Sequence, residues 1–86
     1  MDSSFAPVYD LLGAAKTKLG QDHAARAAFE TSLRFDSHDS TAYTNLGLLE
    51  LASGNRESAR NYFAEALWLA PDSATAREGL RRASQR

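Results

Sequence analysis

Apolar residues recur every three or four positions along most of the chain, and short polar turns separate the stretches that carry them. These stretches cover residues 7–19, 22–35, 41–52, 56–70 and 74–86. A period of three to four residues places the apolar side chains on one face of an α-helix, whereas a half-buried strand needs strict alternation. The pattern therefore predicts an all-α fold of five helices without a strand.

Glycine, proline and small polar residues mark the ends of these helices. Gly20 and Gly54 follow the first and third helices, at positions where the backbone of a helix end often turns left-handed. Pro71 ends the fourth helix because its ring cannot continue one. The predicted N-terminal caps are Ser3 or Ser4, Asp22, and Asp39 or Ser40.

A shift of 34 residues superimposes the first predicted helix pair on the second. The identities at this offset are Tyr9 with Tyr43, Leu12 with Leu46, Gly13 with Gly47, Gly20 with Gly54, Ala25 with Ala59, Arg26 with Arg60, Phe29 with Phe63 and Leu33 with Leu67. Most are apolar, small or turn-forming residues, which indicates an internal repeat of paired helices. Gly47 has no side chain to hold the second helix away, and Phe63 is expected to fill the contact.

This repeat resembles the tetratricopeptide repeat, whose pattern combines an aromatic residue, Leu-Gly, a later Ala, Phe and Ala, and a closing proline. The second copy carries the pattern at Tyr43, Leu46, Gly47, Ala59, Phe63, Ala66 and Pro71. The first copy departs from it at Ser32 and Ser37, which stand in place of the alanine and the proline. The resemblance implies an α-α superhelix of two helix-turn-helix repeats with a polar capping helix. The implied boundaries are 1–5 for a flexible start, 6–39 and 40–73 for the repeats, and 74–86 for the cap.

Charge and composition narrow the classes of partner. The formal net charge is -1 and 24% of the residues are charged, so the chain lacks the basic field that a phosphate backbone requires. No apolar run approaches the roughly 18 to 20 residues that cross a bilayer, and the start lacks a signal-peptide pattern. The absence of cysteine excludes disulfides and thiolate sites. We therefore expect a soluble, cytoplasmic chain that binds neither nucleic acid nor membranes.

No arrangement of residues in the sequence points to catalysis or to a cofactor. His23 and His38 fall in different predicted elements. The run Asp36-Ser37-His38-Asp39 is interpreted as a polar turn with a helix cap, because a metal site needs further ligands in a fixed geometry. The five glycines are scattered rather than grouped into a phosphate-binding loop. The expectation is a non-enzymatic chain without a metal or a cofactor.

The resemblance implies that the function lies on a surface. In such arrays the first helix of each repeat lines a concave groove that holds a peptide or helix of a partner protein. The implied groove residues are Asp10, Leu11, Ala14, Thr44, Asn45, Leu48, Leu51, Arg82 and Arg86. The competing interpretation is that Leu48 and Leu51 pack against Leu11 or the capping helix. Some co-chaperones of the family hold acidic peptides through lysines, an arginine and asparagines in this groove, and only Asn45 agrees here.

Two further apolar features lie outside this groove. The first helix has an outer face that we expect to self-associate or to be covered by a neighbouring repeat. Its residues are Phe5, Val8, Ala15 and Leu19. Trp68 is expected to lie under the capping helix, the alternative being an exposed anchor for a partner. The predicted function is a non-catalytic adaptor for a partner protein, and the alternative is a structural element that assembles with itself or with neighbouring repeats.

Overall fold

The chain forms five α-helices in a computed structural model that describes residues 2–85. The helices are α1 (Ala6–Lys18), α2 (Asp22–Phe35), α3 (Ser40–Ala52), α4 (Arg56–Leu69) and α5 (Ala74–Ala83), and a 3₁₀ turn at Ser3–Phe5 precedes α1. The described residues contain no strand. The predicted all-α fold of five helices is therefore confirmed, and α2 has both of its predicted ends.

Left-handed glycines close the turn inside each helix pair, as the sequence predicted. Gly20 has a φ of 76° and Gly54 a φ of 84°. The backbone amide of Gly20 donates to the Thr17 carbonyl oxygen at 3.0 Å, which closes the last turn of α1. A residue with a Cβ atom is strained at such φ values. These two glycines therefore fix the points at which α1 and α3 give way to their partner helices.

The helix caps agree with the sequence in part. Asp39 caps α3, because its carboxylate accepts hydrogen bonds from the backbone amides of Thr41 at 3.1 Å and Ala42 at 3.4 Å. Asp22 does not cap α2. It is the first residue of that helix, and Gln21 holds the cap position without a side-chain hydrogen bond. The prediction is thus confirmed for α3 and wrong for α2.

A 3₁₀ turn at Ser3–Phe5 lies in the segment 1–5 that we expect to be flexible, and Met1 lies outside the described residues. Ser3 and Ser4 lie inside this turn and do not cap α1. The cap of the turn is Asp2, whose side chain accepts a hydrogen bond from the Ser4 amide at 2.9 Å.

Aromatic contacts tie this turn and α1 to the end of α2. The ring centroids of Phe5 and Phe35 lie 5.5 Å apart. Tyr9 stacks on the same Phe35 ring, with a centroid distance of 5.3 Å and an interplanar angle of 11°. Offset aromatic pairs at such distances contribute stability beyond their buried area. The aromatic position of the repeat pattern therefore serves here to pin α1 to α2.

In each helix pair, a phenylalanine of the second helix packs on a glycine of the first. Phe29 and Phe63 are buried, with 1% and 0% of their surface exposed. A Cβ atom on Gly47 would lie 2.7 Å from Cε1 of Phe63, and one on Gly13 would overlap the Phe29 ring. A Cβ atom fits at either position only if the phenylalanine ring moves, so each pair of helices packs at close range. This confirms the contact that the repeat pattern predicted.

The capping helix α5 packs over Phe63 through a face of small residues. Ala76 and Ala83 are fully buried in the cluster around Phe63. Gly79 lies so close to the Phe63 ring that a Cβ atom would overlap it. The 34-residue offset aligns Arg81 with Gly47, but Arg81 is exposed. In α5 the residue that contacts Phe63 is therefore Gly79, two positions earlier.

The expectation that α5 covers Trp68 is wrong. The Trp68 side chain is 82% exposed. Successive residues of a helix are rotated by about 100°, so Trp68, five positions after Phe63, points roughly 140° away from the side of α4 that α5 covers. Leu67 takes the partly buried position against the core cluster instead.

Candidate functional site

Three clefts that adjoin one another lie along α1 and α3. The first, which we call the leucine cleft, has a volume of about 380 Å³. It is lined by Ala14, Thr17, Lys18, Asp22, Phe29, Asn45, Leu48, Leu49 and Ala52. The Leu48 side chain is 37% exposed, so it forms part of the wall of this cleft rather than part of the core. A partner can therefore reach an aliphatic surface here.

Two further clefts adjoin this surface. The acidic cleft has a volume of about 440 Å³ and is lined by Ser3, Ala6, Pro7, Asp10, Leu11, Asp36, Asp39 and Thr41. The threonine cleft has a volume of about 240 Å³ and is lined by Ser40, Thr41, Thr44, Asn45, Ser73 and Thr75. Asn45 borders the leucine and threonine clefts, and Thr41 borders the threonine and acidic clefts. Neighbouring clefts therefore share a lining residue, and we refer to the three clefts together as the groove.

The structure brings most of the predicted groove residues together. Those that line the groove are Asp10, Leu11, Ala14, Thr44, Asn45 and Leu48. Leu51 is half-buried and packs against the cluster that contains Ala76 and Ala83 of α5. Arg82 is exposed on α5 and lines none of the three clefts. Arg86 lies outside the described residues.

A network of carboxyl and hydroxyl groups lies at the acidic cleft. The fully buried Ser32 hydroxyl oxygen lies 2.7 Å from Oδ2 of Asp39 and 3.0 Å from the Ala6 carbonyl oxygen. The Asp10 carboxyl lies beside Ser32 and Asp39, and it lines the acidic cleft together with Asp39. Burial, and next the hydrogen bond with Asp39, raise the pKa of the Asp10 carboxyl to about 7. The departure of Ser32 from the repeat pattern, where alanine is usual, was the sequence signal for this network.

An outer face of α1 is left exposed by the other described helices. The exposed fractions are 51% for Phe5, 59% for Val8, 73% for Leu11, 44% for Leu12 and 68% for Leu19. Ala15 is also exposed. Helical geometry places Val8, Leu12 and Leu19 on one stripe, because they are spaced by four and seven residues. The predicted face thus exists, and Leu11 and Leu12 extend it.

The same stripe is covered in the other helices that begin a repeat. The counterparts of Val8 and Leu12 in α3 are Ala42 and Leu46, both fully buried, and Leu46 packs in a cluster with Phe29 of α2. In α5 the corresponding stripe begins at Ala76 and packs on α4. Each second helix therefore covers the following first helix, and the stripe on α1 differs only in having no such cover within the described residues.

An ion pair between α2 and α3 was not foreseen from the sequence. The Arg26 guanidinium donates to Oε1 of Glu50 at 2.8 Å, and the Asn55 side chain donates to Oε2 of the same carboxylate at 2.9 Å. The repeated arginine, Arg60, instead donates to the Ala83 carbonyl oxygen at 3.2 Å. The sequence signal for these contacts was that the repeat has an arginine at both positions, Arg26 and Arg60. Each arginine connects the second helix of its repeat with the helix that follows.

Two further findings bear on the chemistry of the chain. Residues 2–85 hold no group of three or more histidine, aspartate or glutamate side chains arranged to bind a metal ion. Within the same range, every helix is too short or too polar to cross a membrane.

Comparison with known proteins gives two bacterial relatives of much greater length. The chain is 32% identical over 62 residues to cellulose synthase operon protein C of Komagataeibacter xylinus. The aligned region covers 72% of this chain and 5% of that protein. It is 34% identical over 55 residues to cellulose synthase 1 operon protein C of the same organism. This aligned region covers 64% of this chain and 4% of that protein. The chain thus spans a small fraction of the relatives it matches.

The fold is also similar to part of a solved structure. A chain in the crystal structure of the APC/C hetero-tetramer Cut9-Hcn1 superimposes with a TM-score of 0.91 at 26% identity, over 96% of this chain and 16% of that one. The family pattern described as the tetratricopeptide repeat matches residues 6–39 and 40–73. Repeats of this family are protein–protein interaction modules on a scaffold that is not catalytic. With its two matched repeats and its glycine–phenylalanine helix contacts, this chain belongs to the tetratricopeptide repeat family.

Proposed function

We propose that this chain is an adaptor that holds a short segment of a partner protein in the groove along α1 and α3. The observation that carries the proposal is the exposure of Leu48 in the leucine cleft. A partner helix or extended segment places aliphatic side chains against Leu48 and Ala14. The amide side chain of Asn45, at the edge of the same cleft, is available to bond the backbone of that segment.

Two features support this use of the leucine cleft. Its volume of about 380 Å³ lies within the roughly 300–1,000 Å³ of ligand pockets in general. Folding gives no clear reason for Leu48, because Leu46 and Gly47 already make the buried contacts of α3. Burial of a leucine contributes about 1.5–3 kcal/mol, which is about tenfold or more in affinity.

The substitution Leu48→Ala tests the proposal. A photoreactive side chain at Ala52, which also lines the leucine cleft, first captures the partner from the source lysate. Calorimetry then compares the affinity of that purified partner for Leu48→Ala and for the matched control Leu19→Ala, which removes an exposed leucine on the other side of α1. We expect Leu48→Ala to weaken binding about tenfold or more and to leave the melting temperature nearly unchanged.

The outcomes separate the groove from the other surfaces. Full affinity of Leu48→Ala for the captured partner contradicts the proposal, as does unfolding of that variant. Loss of binding by Leu19→Ala alone moves the site to the outer stripe of α1.

A second candidate function is structural assembly, and the exposed stripe of α1 favours it. The occupant that fits the stripe is the second helix of another tetratricopeptide repeat. Within this chain, α2 covers the same stripe of α3 with Ala25 and Phe29, and α4 covers that of α5 with Ala59 and Phe63. An alanine and a phenylalanine four residues apart are therefore the side chains expected on the helix that packs on α1.

A further inference from the structure

The network around Ser32 contains more hydrogen-bond acceptors than donors. A serine hydroxyl has one proton to donate, yet the Ser32 oxygen lies within hydrogen-bond distance of both the Ala6 carbonyl oxygen and Oδ2 of Asp39. Asp10 adds a buried oxygen, Oδ1, for which the described residues supply no donor. If both carboxyl groups were ionised, the buried oxygen of Asp10 and one of the two acceptors around Ser32 would lack a proton.

One additional proton on the carboxyl pair completes the network. A protonated Asp10 donates a hydrogen bond to Asp39, and the hydroxyl proton of Ser32 then serves the remaining acceptor. We propose that Asp10 and Asp39 share one proton, and that this proton holds α1 against the start of α3. Because Asp39 also caps α3, loss of the proton places two carboxylates side by side at the point where the two helices meet.

The charged groups around the pair also favour the protonated form of Asp10. Among the described residues that line the acidic cleft, none is a lysine, arginine or histidine, and Asp36 adds a third carboxyl group. Burial and the hydrogen bond with Asp39 raise the pKa of Asp10 to about 7. The negative charges of Asp39 and Asp36 also raise this pKa, whereas the hydrogen bond with Ser32 lowers it. His38, in the same turn, is exposed, and its backbone amide donates to Oδ1 of Asp36.

The second repeat provides an internal comparison without carboxyl groups. The counterparts of Asp10, Ser32 and Asp39 after 34 positions are Thr44, Ala66 and Ser73. Thr44 donates to the Ser40 carbonyl oxygen at 2.9 Å, and Ser73 caps α5 by accepting from the Ala76 amide at 3.2 Å. Every polar group there has a donor or an acceptor without an added proton, so the pH sensitivity belongs to the first repeat.

The direction of the pH effect follows from the proton count. Between the unfolded pKa of an aspartate, about 3.9, and the folded value near 7, the folded chain holds a proton that the unfolded chain has released. Stability therefore falls as the pH rises through this window, and the loss is complete above it. The wild-type chain is expected to be more stable at pH 5.5 than at pH 8.5.

The substitution Asp10→Asn tests the shared proton, since an amide of the same shape donates at every pH. We expect this variant to melt about 5 °C or more above the wild type at pH 8.5, and level with it or below it at pH 5.5. The matched control is Asp72→Asn, an exposed turn residue, which should follow the wild type at both pH values. All three chains are otherwise identical, so contributions from other residues cancel in the comparison.

A second measurement does not depend on the folding of a variant. The ¹³C chemical shifts of the side-chain carboxyl carbons, followed by NMR in the wild-type chain, report the protonation of each aspartate directly. We expect the Asp10 signal to show a titration step near pH 7. Titration of Asp10 below pH 5 overturns the proposal, and so does a parallel loss of stability in the wild type and Asp10→Asn between pH 5.5 and pH 8.5.

Discussion

At the scale of a residue, the two repeat phenylalanines differ in the space around them. Phe63 contacts Gly47 and Gly79, whereas Phe29 contacts Gly13 and also borders the open leucine cleft. Overpacking costs about 1–3 kcal/mol, and the helix propensity of alanine over glycine contributes about 1 kcal/mol in the opposite direction. We therefore predict that Gly47→Ala loses up to about 2 kcal/mol of unfolding free energy, and that Gly13→Ala is nearly neutral because the Phe29 ring can move toward the leucine cleft. Urea unfolding measures both, and equal losses would contradict this account.

At the scale of an element, an ion pair connects α2 with α3, whereas a hydrogen bond to a neutral carbonyl oxygen connects α4 with α5. The Glu50 side chain is 10% exposed and receives both Arg26 and Asn55, whereas Arg60 donates to the neutral Ala83 carbonyl oxygen. Removal of one partner from a buried ion pair costs about 3–5 kcal/mol, and loss of an ordinary hydrogen bond about 1 kcal/mol. We predict that Arg26→Met loses about 3 kcal/mol in urea unfolding and Arg60→Met about 1 kcal/mol. The reverse order would show that the packing of the arginine stems governs both contacts.

At the scale of the whole molecule, the two exposed apolar regions lie on different helices and are expected to behave differently. The α1 stripe is continuous, whereas Trp68 stands alone on α4, and isolated apolar residues are common on monomer surfaces. We predict that the purified chain self-associates with increasing concentration and that Val8→Glu makes it monomeric. Trp68→Glu, the matched control, should leave association unchanged, and both melting temperatures should stay close to that of the isolated wild-type chain. Sedimentation velocity is the measurement, and a wild type that stays monomeric at millimolar concentration argues against assembly through α1.

The sequence by itself determined the helices, the turns and the contact inside each helix pair. The ends of α2, the left-handed Gly54 and the packing of Phe63 on Gly47 follow from patterns that repeat after 34 residues. Helix formation, capping and turns depend on residues within about four positions of one another, which the order of the amino acids specifies. The repeat pattern also placed Leu48 on the side of α3 that lines the groove.

Only the tertiary structure decided which sides of the helices are covered and which distant polar groups meet. Leu48 and Leu51 stand three positions apart in one helix, yet Leu48 lines the leucine cleft and Leu51 packs with α5. Likewise, Trp68 is exposed although α5 follows it closely in the chain, and Asp10 meets Asp39 across the fold. Helical periodicity fixes the direction of a side chain about its own axis, but the position of the next helix, and hence burial and proton sharing, depends on how all five helices pack together.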